Sequence, residues 1–420
     1  MRSRRDFTRL LAMVGSAALL PENAFARPPL RSTAVTPDEK FWNSIRDQFL
    51  MPKDLAVMNA ANLCPSPASV LEAVYRHTKD IDADPSFENR QKMSDGKEAA
   101  RKLAAEYLHV TPEEIVLTRN TSEANNLVSS GLDLKAGDEV VILSDNHPSN
   151  GEAWRQKGKR FGYSVHTIDQ PNPPPGPDYY LEAVTRVMTP RTRVLAFSHQ
   201  TNTIGEILPA KELCRIARER GVLTLVDGAS ALGVLDLDLA AIQPDFYTGS
   251  AHKWPCGPKE VGLLYISKRA QASIHPSVIS AYPGAVGISK TMEAMGQRDE
   301  PAIIGFGEAI TFQTRIGKPA IEARSRALAQ ALIAGLRRID GVHLWSSVDP
   351  SRCGAVVTFR PGTLDIRKLA AALYQNDRIG CATRGGQDRP GIRLAPHIYN
   401  TMAEVERAIA AVASYVRQGV

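Results

Sequence analysis

The residues best equipped for chemistry fall into five short groups: Asn120-Thr121-Ser122, Asn146-His147, Ser198-His199-Gln200-Thr201-Asn202, Asp227 and Ser250-Ala251-His252-Lys253. Each lies at the end of a β-forming stretch, and in open parallel sheets ligands bind beyond the carboxyl ends of the strands. Together they offer an anion cradle, a ring that can carry charge, a carboxylate and a lysine. Thr121 and Ser122 open a helical segment, where free backbone N–H groups and the helix dipole favour a phosphate. Asp227 follows the apolar run 222–226. A buried unpaired carboxylate is costly, so it calls for a cationic partner. Taken alone, Asp227 reads equally well as a helix cap or a structural ion pair. Neither a nicotinamide fingerprint nor a phosphate-loop sequence is present. A lysine for a Schiff base, a carboxylate for a pyridinium nitrogen, a planar group for the ring and donors for a phosphate are what pyridoxal 5′-phosphate (PLP) requires.

These groups need elements to position them. Short β-rich runs at 114–118, 139–144, 163–168, 193–198, 222–226 and 261–266 alternate with helical segments at 121–131, 151–161, 179–188 and 209–220. The last helix opens with Pro209 and closes before Gly221. That alternation predicts an α/β domain with a mostly parallel sheet. Residues 170–178, with five prolines, form a surface loop, because the alternation continues beyond them. From about Pro301 the texture changes. A helical stretch at 302–339, broken near 317–319, precedes strands at 342–345 and 355–360 and a terminal helix at 402–417. The expected division is a leader at 1–26, an N-terminal arm at 27–58, a large PLP-binding domain at 59–300 and a small α+β domain at 301–420.

The composition is that of a soluble globular protein: 420 residues, 43% hydrophobic and 23% charged, which excludes disorder and collagen. Lys plus Arg number 51 against 45 Asp plus Glu, a net charge of +6. Residues 1–26 hold Arg2, Arg4, Arg5 and Arg9 against Asp6 and Glu22, so +4 remains on the rest. The two signs interleave without a basic stripe, and nucleic acid is not an expected partner. Ser3-Arg4-Arg5-Asp6-Phe7 resembles a twin-arginine export signal, with Thr8 and Arg9 where that signal usually has Leu and Lys. The uncharged run 10–20 is too short to span a bilayer and leads to Ala24-Phe25-Ala26, a small-x-small cleavage site. A periplasmic protein cleaved after about Ala26, carried by the twin-arginine machinery and without a stable membrane anchor, is the expectation. That route moves folded proteins, often with a cofactor in place. The five cysteines, Cys64, Cys214, Cys256, Cys353 and Cys381, are odd in number and contain no C-x-x-C pair, so they suggest neither a metal site nor a disulfide framework.

Val226-Asp227-Gly228-Ala229, then Asp245-Phe246-Tyr247, then Ser250-Ala251-His252-Lys253 and Gly257-Pro258 resemble, in that order, the core signature of class V aminotransferases. This fold-type-I PLP family includes cysteine desulfurases, isopenicillin N epimerase and kynureninase. The resemblance runs from about Asn59 to the C-terminus, through 118–128, 145–150, Gly296-Gln297-Arg298-Asp299 and 393–401. It implies a large domain with a mostly parallel, seven-stranded type of sheet and a smaller α+β C-terminal domain. It also implies roles. Lys253 forms the Schiff base and later shuttles a proton; Lys259 lacks the preceding S-x-H context and reads as a surface lysine. His147 stacks on the ring and Asp227 pairs with its nitrogen. Ser122, Ser250 and His252 hold the phosphate with Thr121 close by, and Asn202 approaches the phenolic oxygen. Arg393 grips the substrate α-carboxylate through its bidentate fork, with Asn59 as a second substrate contact. Gln297 stands where relatives carry a threonine that reaches the neighbouring subunit's phosphate, which implies a homodimer with the site at the interface.

Departures from the pattern narrow the chemistry. Ser230 stands where desulfurases usually have a glutamine, and residues 383–390 lack the cysteine of their persulfide loop. Cys381 lies earlier, and Cys256 reads as a packing residue. Desulfuration of cysteine is therefore disfavoured. The resulting expectation is a PLP-dependent aminotransferase acting on an amino acid or amine-bearing metabolite in the periplasm. An epimerase or a C–S/β-lyase would use the same residues. A non-catalytic binding module on this scaffold is opposed by the joint presence of Lys253, Asp227 and Arg393. A periplasmic member suggests maturation of a secreted metabolite, for example a pyoverdine-like siderophore.

Overall fold

The computed structural model describes residues 37–385 and 388–420, so the expected leader lies outside the described residues. The described chain enters through a helix, Glu39–Arg46, and a two-residue strand, β1 (Ala56–Val57). The central sheet follows: β2 (Ile115–Thr118), β3 (Glu139–Leu143), β4 (Ser164–Ile168), β5 (Thr192–Ser198), β6 (Leu223–Asp227), β7 (Phe246–Ser250) and β8 (Gly262–Ile266). Its strand order is β2-β8-β7-β6-β5-β3-β4. Only β8 runs against the others, pairing antiparallel with both β2 and β7.

The strands read as continuous apolar runs because helices cover both faces. On β3, Val140 and Ile142 point into one core with Trp154 and Val128, while Val141 and Leu143 point into the other with Val184 and Leu213. Thr121–Gly131 and Pro148–Phe161 thus cover one face, and Pro177–Val187 and Ala210–Glu219 the other. At the edge, β4 buries only Ile168. Six of the seven strands match the runs expected from sequence within a residue or two. The seventh, β7, has small polar residues in its second half, Thr248-Gly249-Ser250, which hide it from a hydrophobic pattern.

Beyond the sheet, Glu300–Ile316 packs against two long helices, Ala68–Ala83 and Phe87–Leu108. Gly317, at φ +95°, ends that helix, and Lys318–Leu336 restarts with Pro319 in its first turn. Strands β9 (Val342–Leu344), β10 (Val357–Pro361), β12 (Ala382–Arg384) and β13 (Gly391–Leu394) form a small antiparallel sheet in the order β12-β13-β10-β9. The short β11 (Ile379–Gly380) pairs in parallel with β1. Ala56 and Met58 share the small unit's core with Leu328, Phe359, Leu394 and Val405.

Candidate active site

Strands β2, β3, β5, β6 and β7 run the same way, so their carboxyl ends bring the five polar groups to one edge of the sheet. Ser250, at the end of β7, accepts a hydrogen bond from the Thr121 N–H (2.9 Å) and lies 2.8 Å from its hydroxyl. That contact ties the start of Thr121–Gly131 to the strand that leads into Lys253. Asn120 caps the same helix, accepting from the Glu123 N–H at 3.0 Å. Ser122 lies exposed at the rim, its carbonyl engaged by Asn126.

Asp227 ends β6 and is 3% exposed. Its two oxygens accept from the Ala229 N–H (3.0 Å) and from the Asn125 amide (2.9 Å). Asn125 also accepts from the Thr248 hydroxyl at 2.9 Å and donates to the Ser149 hydroxyl at 3.2 Å. Ser149 in turn meets His147 Nδ1, through its hydroxyl at 2.9 Å and its backbone N–H at 3.3 Å. A polar chain therefore runs from the ring of His147 to the carboxylate of Asp227. Because the Ser149 N–H donates to Nδ1, the neutral ring carries its proton on Nε2. Burial lowers the His147 pKa; Asp227 opposes that shift and the Lys253 charge adds to it. Gly228 follows Asp227 because a Cβ there would sit 2.1 Å from the Tyr247 ring.

Lys253 sits in a tightly held turn. The Trp254 carbonyl accepts from the Gln313 amide (2.6 Å) and from His397 Nε2 (2.8 Å), and the His252 carbonyl accepts from the Cys64 N–H (2.8 Å). The lysine's Nζ has no hydrogen-bond or ion-pair partner among the described residues. Burial lowers its pKa; Asp227 pulls the other way, and the Arg393 guanidinium reinforces the fall. The His252 pKa is pushed down to about 4 by burial, aided by Lys253 and Lys259. Lys259 itself is exposed, as expected.

Arg393, on β13, is 7% exposed. It donates to the Asn202 carbonyl (2.8 Å) and to Asn59 Oδ1 (3.2 Å), while its Nε is buried without a partner. No carboxylate pairs with it among the described residues. Burial, then the charge of Arg384, lower its pKa to about 10. Asn202 thus meets Arg393 through its backbone. Gln297 lies apart from the cluster: it is exposed and accepts from Arg90 at 2.7 Å, where the Arg90 guanidinium also covers the Phe87 and Tyr282 rings. Cys64, Cys214, Cys256 and Cys353 are buried, and Cys381 is half-buried with its thiol pushed up to about 11 by burial.

Asn125, Ser149 and His397 were not singled out from the sequence as site residues. A signal for Asn125 existed: it lies one helical turn after Thr121 and so shares its face. His397 fixes the lysine turn from the far side, its Nε2–H on Trp254 and its Nδ1 2.9 Å from the Ser325 hydroxyl.

Residues 59–408 match the family Aminotransferase class-V. The chain belongs to that family. It is 34% identical over 385 residues to an isopenicillin N epimerase of Amycolatopsis lactamdurans, covering 87% of this chain and 96% of the relative. It is 27% identical over 390 residues to a probable cysteine desulfurase of Methanothermobacter thermautotrophicus, covering 86% and 95%. The apo structure of a cysteine desulfurase from Thermococcus onnurineus superposes with a TM-score of 0.81 at 24% identity, over 92% of this chain and 99% of that one. The class V chain accordingly has the α/β architecture of fold type I, as its sequence pattern implied.

Proposed function

We propose that this class V enzyme is an aminotransferase for an amino acid or an amine-bearing metabolite with a carboxylate beside the amine. Its cofactor is pyridoxal 5′-phosphate, in keeping with the family and with the donor set at the sheet edge. One observation carries the reading: Lys253, without a partner, faces Arg393, a buried guanidinium without a carboxylate. A buried cation left unpaired by the chain is suited to an anion brought by a ligand.

The residues fit the cofactor. Ser250, Thr121, His252 and the helix start at Ser122 would hold the phosphate, Asp227 the pyridine nitrogen, His147 the ring face and Asn202 the phenolic oxygen. When bound, PLP supplies an electron sink that acidifies the substrate's Cα–H. The side chains do the rest. Arg393 orients the carboxylate, with Asn59 fixing the guanidinium. Burial and the charge of Arg393 hold Lys253 below the ordinary lysine pKa, so a useful fraction is neutral and its Nζ takes the Cα proton. His147, kept neutral by burial, covers the ring without opposing the charge that Asp227 balances.

Epimerisation is the second reading, favoured by the 34% identity to an isopenicillin N epimerase. Lys253 would then return the proton to Cα. Desulfuration through a protein thiol is disfavoured because Cys381, the cysteine nearest the 383–390 segment, is half-buried with a raised pKa. The test is incubation of the PLP-loaded enzyme with amino donors in deuterium oxide. Keto-acid product supports transamination, and deuterium at Cα with loss of chirality but no keto acid supports epimerisation. Neither product from any donor, with the same silence in Lys253→Ala, would sink both readings.

A homodimer and periplasmic export complete the proposal. Exposed Tyr75, Phe87, Ile279 and Tyr282, some of them beside Gln297, support a self-association face; a monomer in sedimentation would oppose it. The Arg4-Arg5 pair supports twin-arginine export, which Arg4→Lys with Arg5→Lys should block.

A further inference from the structure

Arg384 is a second arginine with no anion of its own. On β12 it lies two residues from Ala382, the cross-strand partner of Arg393 on β13. Alternation along a strand puts Arg384 and Arg393 on one face of the small sheet, as diagonal neighbours about 7 Å apart at Cβ. Arg393 contacts Asn59 and Asn202 on that face. Arg384 is half-buried, its Nε is buried without a partner, and it has no hydrogen bond or ion pair among the described residues. Burial lowers its pKa; Asp145 opposes this and Arg389 adds to it. Asp145 is already committed, to Arg389 through two contacts and to the Thr203 hydroxyl at 3.0 Å. Asp388, the other nearby acid, is also paired with Arg389.

Two neighbouring guanidiniums that repel each other, each with a desolvated Nε, are costly unless a ligand supplies the missing anions. A carboxylate beside the substrate amine answers Arg393 and leaves Arg384 unanswered. We propose that Arg384 is a second carboxylate-binding residue and that the substrate is an amino acid bearing a second carboxylate on its side chain. This rests on the role given to Arg393 above. The fork of Arg384 would clamp the distal carboxylate, while Arg393 holds the one next to the reacting carbon.

The test is calorimetric binding of glutarate and of butyrate, which lacks the second carboxylate, to the PLP-loaded enzyme. Wild type should prefer glutarate. Arg384→Gln should weaken glutarate about 10- to 100-fold and leave butyrate within about twofold, whereas Arg393→Gln should weaken both. A retained cofactor absorption band and melting temperature show that a variant is loaded and folded. Equal affinity of wild type for the two acids, or an equal loss of both in Arg384→Gln, overturns the proposal. If Arg384→Gln does not fold, the wild-type preference decides. Indifference of both acids to Arg393→Gln would instead contradict the α-carboxylate clamp, and this inference with it.

Discussion

Asn125 determines how Asp227 is presented to a ligand. Its amide donates to one carboxylate oxygen while its carbonyl takes the Thr248 hydroxyl, all inside the protein. Asn125→Ala leaves both groups unmet, so it should cost about 1–3 kcal/mol in denaturant unfolding and weaken PLP binding in a titration. Asn125→Asp should bind PLP more weakly still, because a second carboxylate faces the first. Wild-type stability and affinity in both variants would show that Asp227 needs no such support. The contrast with Lys253, Asp227 and Arg393 explains what was legible in the sequence. Those three were identified because the chemistry dictates the residue type and the motif dictates the place. Asn125 has a geometric task, and an asparagine inside a helix reads only as a poor helix former. Ser122 shows the same limit: a motif names a position, but the turn of the helix decides that its side chain lies exposed.

At the scale of elements, the connection from β12 to β13 is fastened to the large sheet by Arg389, which grips Asp145 just after β3. Both side chains are 4% exposed. Removing one partner leaves a buried charge, so Arg389→Met should cost about 3–5 kcal/mol. Arg389→Met with Asp145→Leu should recover a substantial part of that loss in urea unfolding, since the uncompensated carboxylate goes too. Strictly additive losses would mean that the pair is not coupled. Neither β12 nor β13 was read from the sequence. They are three and four residues long, and a buried arginine on each breaks the apolar pattern. The break at Gly317 was legible because glycine and proline act locally, whereas burial of Arg389 depends on a partner 244 residues away in sequence.

The molecule as a whole carries buried histidines that resist protonation. Burial pushes His397 down to about 3 and His199 down to about 4. Both are neutral when folded but titrate near 6.5 when unfolded, so the unfolded chain binds more protons between those values. Their contribution to stability is therefore complete above about pH 6.5 and is lost as pH falls toward 4. His397 alone accounts for roughly 3 kcal/mol by pH 4. In His397→Gln, the slope of unfolding free energy against pH between 6 and 4 should fall by about 1.4 kcal/mol per pH unit, one proton's worth. An unchanged slope would show that His397 is protonated in the folded state.

The central claim is that Lys253 is the lysine that carries the cofactor. Borohydride reduction of the PLP-loaded protein, followed by peptide mass spectrometry, fixes the cofactor to the lysine it occupies and names that lysine. The account predicts a pyridoxyl group on the peptide containing Lys253 and none in Lys253→Ala. A tag on Lys259 or another lysine, or no tag on a protein saturated with PLP, would contradict it.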